Sequence, residues 1–333
     1  MGAVLAALAV AAGCETAVVG PDDGGSASLV ALIGQEGNRP ALYVQAADGT
    51  QRRRIRFDGA EDPIPGNVTM LPRLEDASIL ALGPVSWSPD GKKLAVVATL
   101  AYDQSEVVVV NADGTGARVA SPNMQIILTN VDWSPDGRKL VYGMSTLPRA
   151  AGVDVFVTDL ETNRVQRLTQ GASIGGDVVR FDASGLGVLF SKNVGSRSTP
   201  IADRLSRIVR VELGSLEART VADSVPGTVQ GIARTGAWAL LLRNETLVSG
   251  QDYVRQLVRV PLAGTAPAVL VARGYILLGR LSADDRWALV MSDADPSSGA
   301  TAHVSSVVST QGGTPQRLKG VEDGVFSMDV LYR

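Results

Sequence analysis

The pentapeptide Trp-Ser-Pro-Asp-Gly occurs twice, and no other feature constrains the fold of this chain as tightly. Val85-Ser86-Trp87-Ser88-Pro89-Asp90-Gly91-Lys92-Lys93-Leu94 is matched by Val131-Asp132-Trp133-Ser134-Pro135-Asp136-Gly137-Arg138-Lys139-Leu140. Ser-Pro-Asp-Gly is a turn: proline presets φ at the first central position, aspartate tolerates the second, and glycine takes the left-handed one. The tryptophan ends one strand, and the Leu-Ala-Val-Val run after the turn begins the next. Weaker copies keep Phe181 and Gly185, then Gly236, then Ser282 and Asp284. Aligning Trp87, Trp133, Phe181, Ala233 and Leu281 gives spacings of about 46, 48, 52 and 48 residues, the length of one four-stranded propeller blade.

A second hairpin recurs within each unit. Residues 106–111 precede Ala112-Asp113-Gly114-Thr115, and residues 154–159 precede Leu160-Glu161-Thr162-Asn163. Residues 207–213, 256–262 and 304–310 play the same part later. Each unit therefore reads as strands A to D. At the start, residues 29–35, 41–46 and 52–57 read as B, C and D with no A before them; residues 324–332 read as an A strand with nothing after it. Joining these ends makes a sixth blade and removes an exposed sheet edge. The expectation is an all-β, six-bladed β-propeller of four-stranded antiparallel blades, closed by the C-terminal strand and spanning residues 29–333.

Residues 3–12 are small and apolar, too few to span a bilayer but suited to the core of an export signal. They run into Ala11-Ala12-Gly13-Cys14, which resembles the lipobox of bacterial lipoproteins. That resemblance implies lipidation at Cys14 after a signal peptide over residues 1–14, with two acyl chains for stable attachment. Residues 15–28, rich in Gly, Pro, Asp and Ser, read as a flexible tether. The expected localisation is the bacterial cell envelope, facing the periplasm or the cell surface.

Trp-Ser-Pro-Asp-Gly followed by a basic residue and leucine resembles the TolB-type, WD-like propeller repeat of bacterial envelope proteins. The resemblance covers roughly residues 29–333, strongly in two repeats. It implies a propeller and does not carry a function with it.

The chemistry-bearing residues are few. One cysteine excludes an intramolecular disulfide, and one histidine, His303, leaves no cysteine–histidine zinc set. Nucleophile-elbow, phosphate-loop and zinc-protease motifs are missing from the sequence. Asp90 and Asp136 recur as turn residues, and Asn111-Ala112-Asp113-Gly114 lacks the closing glutamate of a calcium loop. No cofactor and no metal are expected. A net charge of -3 provides no general field for nucleic acid. Arg52, Arg54 and Arg56 lie on one face of a strand, as a charged outer edge or as a phosphate stripe.

The expected function is a non-catalytic, lipid-anchored and monomeric propeller that binds a protein or peptide partner in the cell envelope. The alternative is a propeller hydrolase or lyase acting on a glycan or peptide with carboxylates alone. The A–B and C–D turns are short and standardised, whereas the B–C and D–A connections read as long and irregular. Recognition is expected where loops vary on a fixed scaffold, so the candidates are Tyr102, Asp103, Arg149, Arg197, Asp203, Arg204, Glu245, Asp252, Tyr253 and His303. Lys92, Lys93 and Arg138 mark the opposite face.

Overall fold

The computed structural model describes residues 29–37, 39–46, 48–64, 79–101, 104–122, 126–145, 153–170, 178–194, 205–249, 252–293, 303–318 and 327–331. Cys14, the signal segment and the tether lie outside them. The described strands form six four-stranded sheets. Blade 1 comprises β1 (Leu29–Glu36), β2 (Arg39–Ala46), β3 (Arg53–Ile55) and the C-terminal β24 (Ser327–Leu331). Blade 2 is β4 (Ala81–Trp87), β5 (Lys93–Ala101), β6 (Gln104–Asn111) and β7 (Arg118–Val119). Blade 3 is β8 (Ile126–Trp133), β9 (Lys139–Ser145), β10 (Val153–Asp159) and β11 (Arg164–Arg167). Blade 4 is β12 (Val179–Phe181), β13 (Gly187–Val194), β14 (Leu205–Glu212) and β15 (Ala218–Pro226). Blade 5 is β16 (Thr228–Ile232), β17 (Trp238–Ser249), β18 (Asp252–Pro261) and β19 (Val269–Gly274). Blade 6 is β20 (Ile276–Leu281), β21 (Trp287–Asp293), β22 (His303–Ser309) and β23 (Gln316–Arg317).

Every pairing within a blade is antiparallel, and β24 closes the ring by pairing with β1, Leu331 opposite Leu29 and Ser327 opposite Ile33. Strand faces alternate, so each sheet buries both faces against its neighbours. Leu94, Val96 and Ala98 pack toward blade 1 with Ala31 and Ile33, while Ala95 and Val97 pack toward blade 3 with Trp133 and Tyr142. Trp87 and Trp133 are fully buried. The indole Nε1 of Trp133 donates to the Ser86 carbonyl of the preceding blade at 3.1 Å.

The turns obey the chemistry of their residues. Asp90 accepts from the Ser88 hydroxyl at 2.6 Å and the Lys92 amide at 3.1 Å, and Ser88 Oγ accepts from the Lys93 amide. Ser134 and Asp136, and Ser282 and Asp284, repeat that arrangement. Gly91 and Gly137 take positive φ of 65° and 70°. Asp113 is likewise a turn residue, accepting from the amide and the hydroxyl of Thr115.

Two expectations need correction. The residue equivalent to Trp87 in blade 5 is Ile232, not Ala233: the Ala233 amide bonds the Trp238 carbonyl just as the Ser88 amide bonds that of Lys93. Second, the B–C connections of blades 2 and 5 are tight, because β5 runs to Ala101 before β6 begins at Gln104, and β17 runs to Ser249 before β18 begins at Asp252. Cross-strand pairing continues to the tips of both hairpins, where Ala101 lies opposite Gln104 and Ser249 opposite Asp252. Asp252, Tyr253 and His303 therefore begin strands rather than sit in loops. The long D–A connection after blade 1 begins with residues 58–64 along the outer edge of blade 2. The Glu61 amide bonds the Ala117 carbonyl, and the Val119 amide bonds the Glu61 carbonyl, in a parallel bridge.

Candidate partner-binding face

The six inner strands surround a channel, and one residue of each repeat, just before the aromatic position, faces it. Ser86, Asp132, Arg180, Gly231 and Arg280 hold that position in blades 2 to 6, and all line a cavity of about 90 Å³. Register places Asp329, opposite Ala31, at the corresponding point of β24. Gly231 is required by close approach: a Cβ there would lie 2.6 Å from the Cβ of Leu281.

At the A–B end of the channel these side chains form a plug. The Arg180 guanidinium donates to the carbonyls of Ile232 at 3.1 Å and of Ser282 and Ala283 at 2.8 Å, and pairs with Asp285 at 2.7 Å. Arg234 grips Asp132 with both terminal nitrogens, at 3.1 and 2.9 Å, and also donates to the carbonyls of Trp133, Phe181 and Ala283. Asp132 accepts the Phe181 amide, and Asp285 accepts the Arg234 amide. Blades 3, 4, 5 and 6 are thus tied through one buried polar network. Asp285 takes φ of 66° where Gly91 and Gly137 stand in other repeats. Left-handed backbone at a non-glycine residue costs on the order of 1 kcal/mol, which the two arginine bonds offset. Burial pushes the Asp285 carboxyl above its ordinary value, and Arg180 opposes that.

Higher in the channel, Asn130 brackets the Val179 backbone, accepting its N–H at 2.8 Å and donating to its carbonyl at 3.0 Å. Gln230 accepts the Gly279 amide at 3.0 Å. These side chains fix β8 to β12 and β16 to β20. Asp132 and Asp285 are both engaged by arginine, so the channel shows no free pair of carboxylates among the described residues. No cluster of metal-ligating groups occurs among them either.

The opposite, B–C/D–A face carries the candidates. Glu245 lies on the projecting part of β17 and accepts from Arg273 at 2.6 Å. Asp252 and Tyr253 begin β18, and His303 begins β22 opposite Asp293, all at the same end of their blades. Tyr102, Asp103, Arg149, Arg197, Asp203 and Arg204 lie outside the described residues. Lys92, Lys93 and Arg138 sit at A–B turns, on the far face. The arginine stripe is the outer edge of blade 1: Arg54 pairs with Glu36, and Arg52 stacks 4.2 Å over the Tyr43 ring. The sequence reading missed the plug. Its signal was present as a column of Ser86, Asp132, Arg180 and Arg280 one residue before the aromatic position, which an inner strand must turn toward the channel.

No protein-family model matches the sequence, and no curated protein is significantly similar to it. Among solved structures, TolB from Acinetobacter baumannii superposes over 91% of this chain with a TM-score of 0.63 and 16% identity. The fold is that of a TolB-type β-propeller. This chain spans 66% of that TolB's length. A chain of a nidogen/laminin complex matches 92% of this chain and 98% of its own length, with a TM-score of 0.54 and 7% identity. An oligogalacturonate lyase in complex with manganese matches 87% of this chain and 73% of its own, with a TM-score of 0.50 and 12% identity. The same scaffold thus serves proteins of different function, and a TolB-type propeller must be assigned a role from its own side chains.

Proposed function

We propose that this chain is a non-catalytic envelope propeller, anchored through lipid on Cys14, which docks a protein or peptide partner on its B–C/D–A face. The observation that carries the reading is the plug. Arg180 and Arg234 close the A–B end of the channel and neutralise Asp132 and Asp285, the carboxylates that a channel enzyme would need. The other face bears the connections that differ from blade to blade. TolB and the chain from the nidogen/laminin complex lend support as fold relatives, the second taken from a protein complex.

One observation favours a hydrolase instead. Burial and the Asp62 charge raise the Glu106 carboxyl to about 7, a value suited to a general acid. Glu106, however, is not among the residues lining the channel cavity.

Reversing the charges of Arg207 and Glu245, set against reversing Lys92, Lys93 and Arg138, tests the face. Partners are crosslinked in intact envelopes and quantified by mass spectrometry. Loss of the partner with the first set supports the reading, and loss with the second set alone overturns it. In parallel, Cys14→Ser should release the chain from the membrane fraction; unchanged fractionation removes the anchor.

A further inference from the structure

The B–C/D–A face is not uniform in charge. On the side of each blade turned to the preceding one, strands B and C bring one residue pair to the level where the sheet meets this face. In blade 2 the pair is Ala98 and Glu106, and in blade 3 Met144 and Asp154. In blade 4 it is Lys192 and Arg207, and in blade 5 Arg243 and Gln256, with Arg273 beyond Gln256 on strand D. The rim is therefore basic over blades 4 and 5, in a chain whose net charge is -3, whereas over blades 2 and 3 burial holds Glu106 protonated to about pH 7 and Asp154 is buried against Arg167 of β11.

The cations of blades 4 and 5 outnumber their carboxylates. Asp223 holds Arg207 in a two-pronged pair at 3.0 and 2.8 Å, and Glu245 holds Arg273. Lys192 stands directly opposite Arg207, an arrangement that costs stability when no anion intervenes. Arg243 donates only to the Pro226 carbonyl, and Arg255 only to that of Ile276, among the described residues. Neither they nor Lys192 meets a carboxylate there. Burial also lowers the Arg243 guanidinium from its ordinary value, so the site itself disfavours this charge without a counter-ion.

We propose that this rim of blades 4 and 5 receives an acidic peptide segment of the partner. The proposal rests on the docking face assigned above and names the sector and the chemistry. Asp223 and Glu245 decide between peptide and membrane. They stand among the cations, as does the amide of Gln256, and would repel a continuous anionic lipid surface. A peptide in which carboxylates alternate with neutral residues places charge at the cations and avoids the two acids. Such complementarity mainly fixes register and speeds association.

The test uses the purified full chain and a fluorescein-labelled oligo-glutamate peptide, followed by fluorescence anisotropy at low and physiological salt. The expected result is binding that weakens with salt, with no binding of the matching oligo-lysine peptide. Combining Lys192→Gln, Arg207→Gln, Arg243→Gln and Arg273→Gln should weaken binding by roughly tenfold or more. Because Arg243 is partly buried, a second variant, Lys192→Glu with Arg273→Glu, keeps the test independent of folding and should show the same loss. Combining Lys92→Gln, Lys93→Gln and Arg138→Gln should change nothing. Equal affinity for the peptide in all variants overturns the proposal. So does tighter binding of phosphatidylglycerol vesicles that is lost in the same rim variants, which would assign the rim to a membrane. If rim variants still capture the crosslinked partner while reversal of Arg167 on blade 3 does not, this sector is wrong and the face stands. If only the A–B variants lose the partner, both readings fall.

Discussion

Glu106 is a carboxyl whose surroundings move it well away from its ordinary behaviour. It lies on β6 opposite Ala98 and is 8% exposed. Burial, then the neighbouring Asp62 charge, raises its carboxyl from 4.5 to about 7. Below pH 4.5 the group is neutral in both folded and unfolded chains and carries no penalty. Between pH 4.5 and about 7 the unfolded chain releases the proton while the native chain keeps it, so stability falls as pH rises. Glu106→Gln should remove that slope. The variant should gain on the parent across this window, by on the order of 3 kcal/mol at most by pH 8. Urea unfolding at pH 4.5 and pH 8 measures it, and an equal difference at both would show that Glu106 ionises normally. Ordinary strand residues contrast with this one. Trp133 and Tyr142 do what large side chains do in a wedge between sheets: they fill it, with the Tyr142 hydroxyl bonded to that of Thr158.

At the level of elements, each blade is a set of local hairpins, and what joins blades is of two kinds. Apolar faces interleave around most of the ring. On the axis the joints are polar, and the inner strands β8, β12, β16 and β20 are linked by side chains that bond the next strand's backbone. Arg234 matters most, because it reaches blades 3, 4 and 6 from the A–B turn of blade 5. Arg234→Ala leaves Asp132 buried without its cation and should cost about 3–5 kcal/mol. Removing both in Arg234→Ala with Asp132→Ala should cost clearly less than the sum of the single changes, as a double-mutant cycle reads it. Strict additivity would show that the two are not coupled. The connector over residues 58–64 illustrates the opposite case, an element with little periodicity that is ordered by borrowing the free edge of β7.

For the whole molecule, closure is the decisive step. β24 comes from the far end of the sequence yet is the inner strand of blade 1. The joint between blades 6 and 1 sets Val30 and Leu32 against Leu289, Val307 and Leu318. Removing residues 327–333 should open the ring there, lower the melting temperature by roughly 10 °C or more, and expose the edge of β1 to pairing between chains. Thermal unfolding together with size-exclusion chromatography checks both; an unchanged, monomeric profile would mean that β24 adds nothing to closure.

The repeat, the blade count and the strand that closes the ring could all be read from the sequence. Each rests on chemistry local to a few residues: Ser-Pro-Asp-Gly makes a turn wherever it stands, and a short continuous apolar run such as residues 107–110 makes a strand with two buried faces. Blade 5 marks where this reading weakens, since without an aromatic its register slipped from Ile232 to Ala233. Long connections over Asp252, Tyr253 and His303 were expected because polar residues resemble loops until a partner strand supplies their hydrogen bonds. The plug and the basic rim belong wholly to tertiary structure. Asp132 and Arg234 are separated by 102 residues and meet only because the ring returns each inner strand to one axis. Lys192, Arg207, Arg243 and Arg273 are ordinary surface charges in the sequence; they become one surface only when register carries them to the same level of adjacent blades.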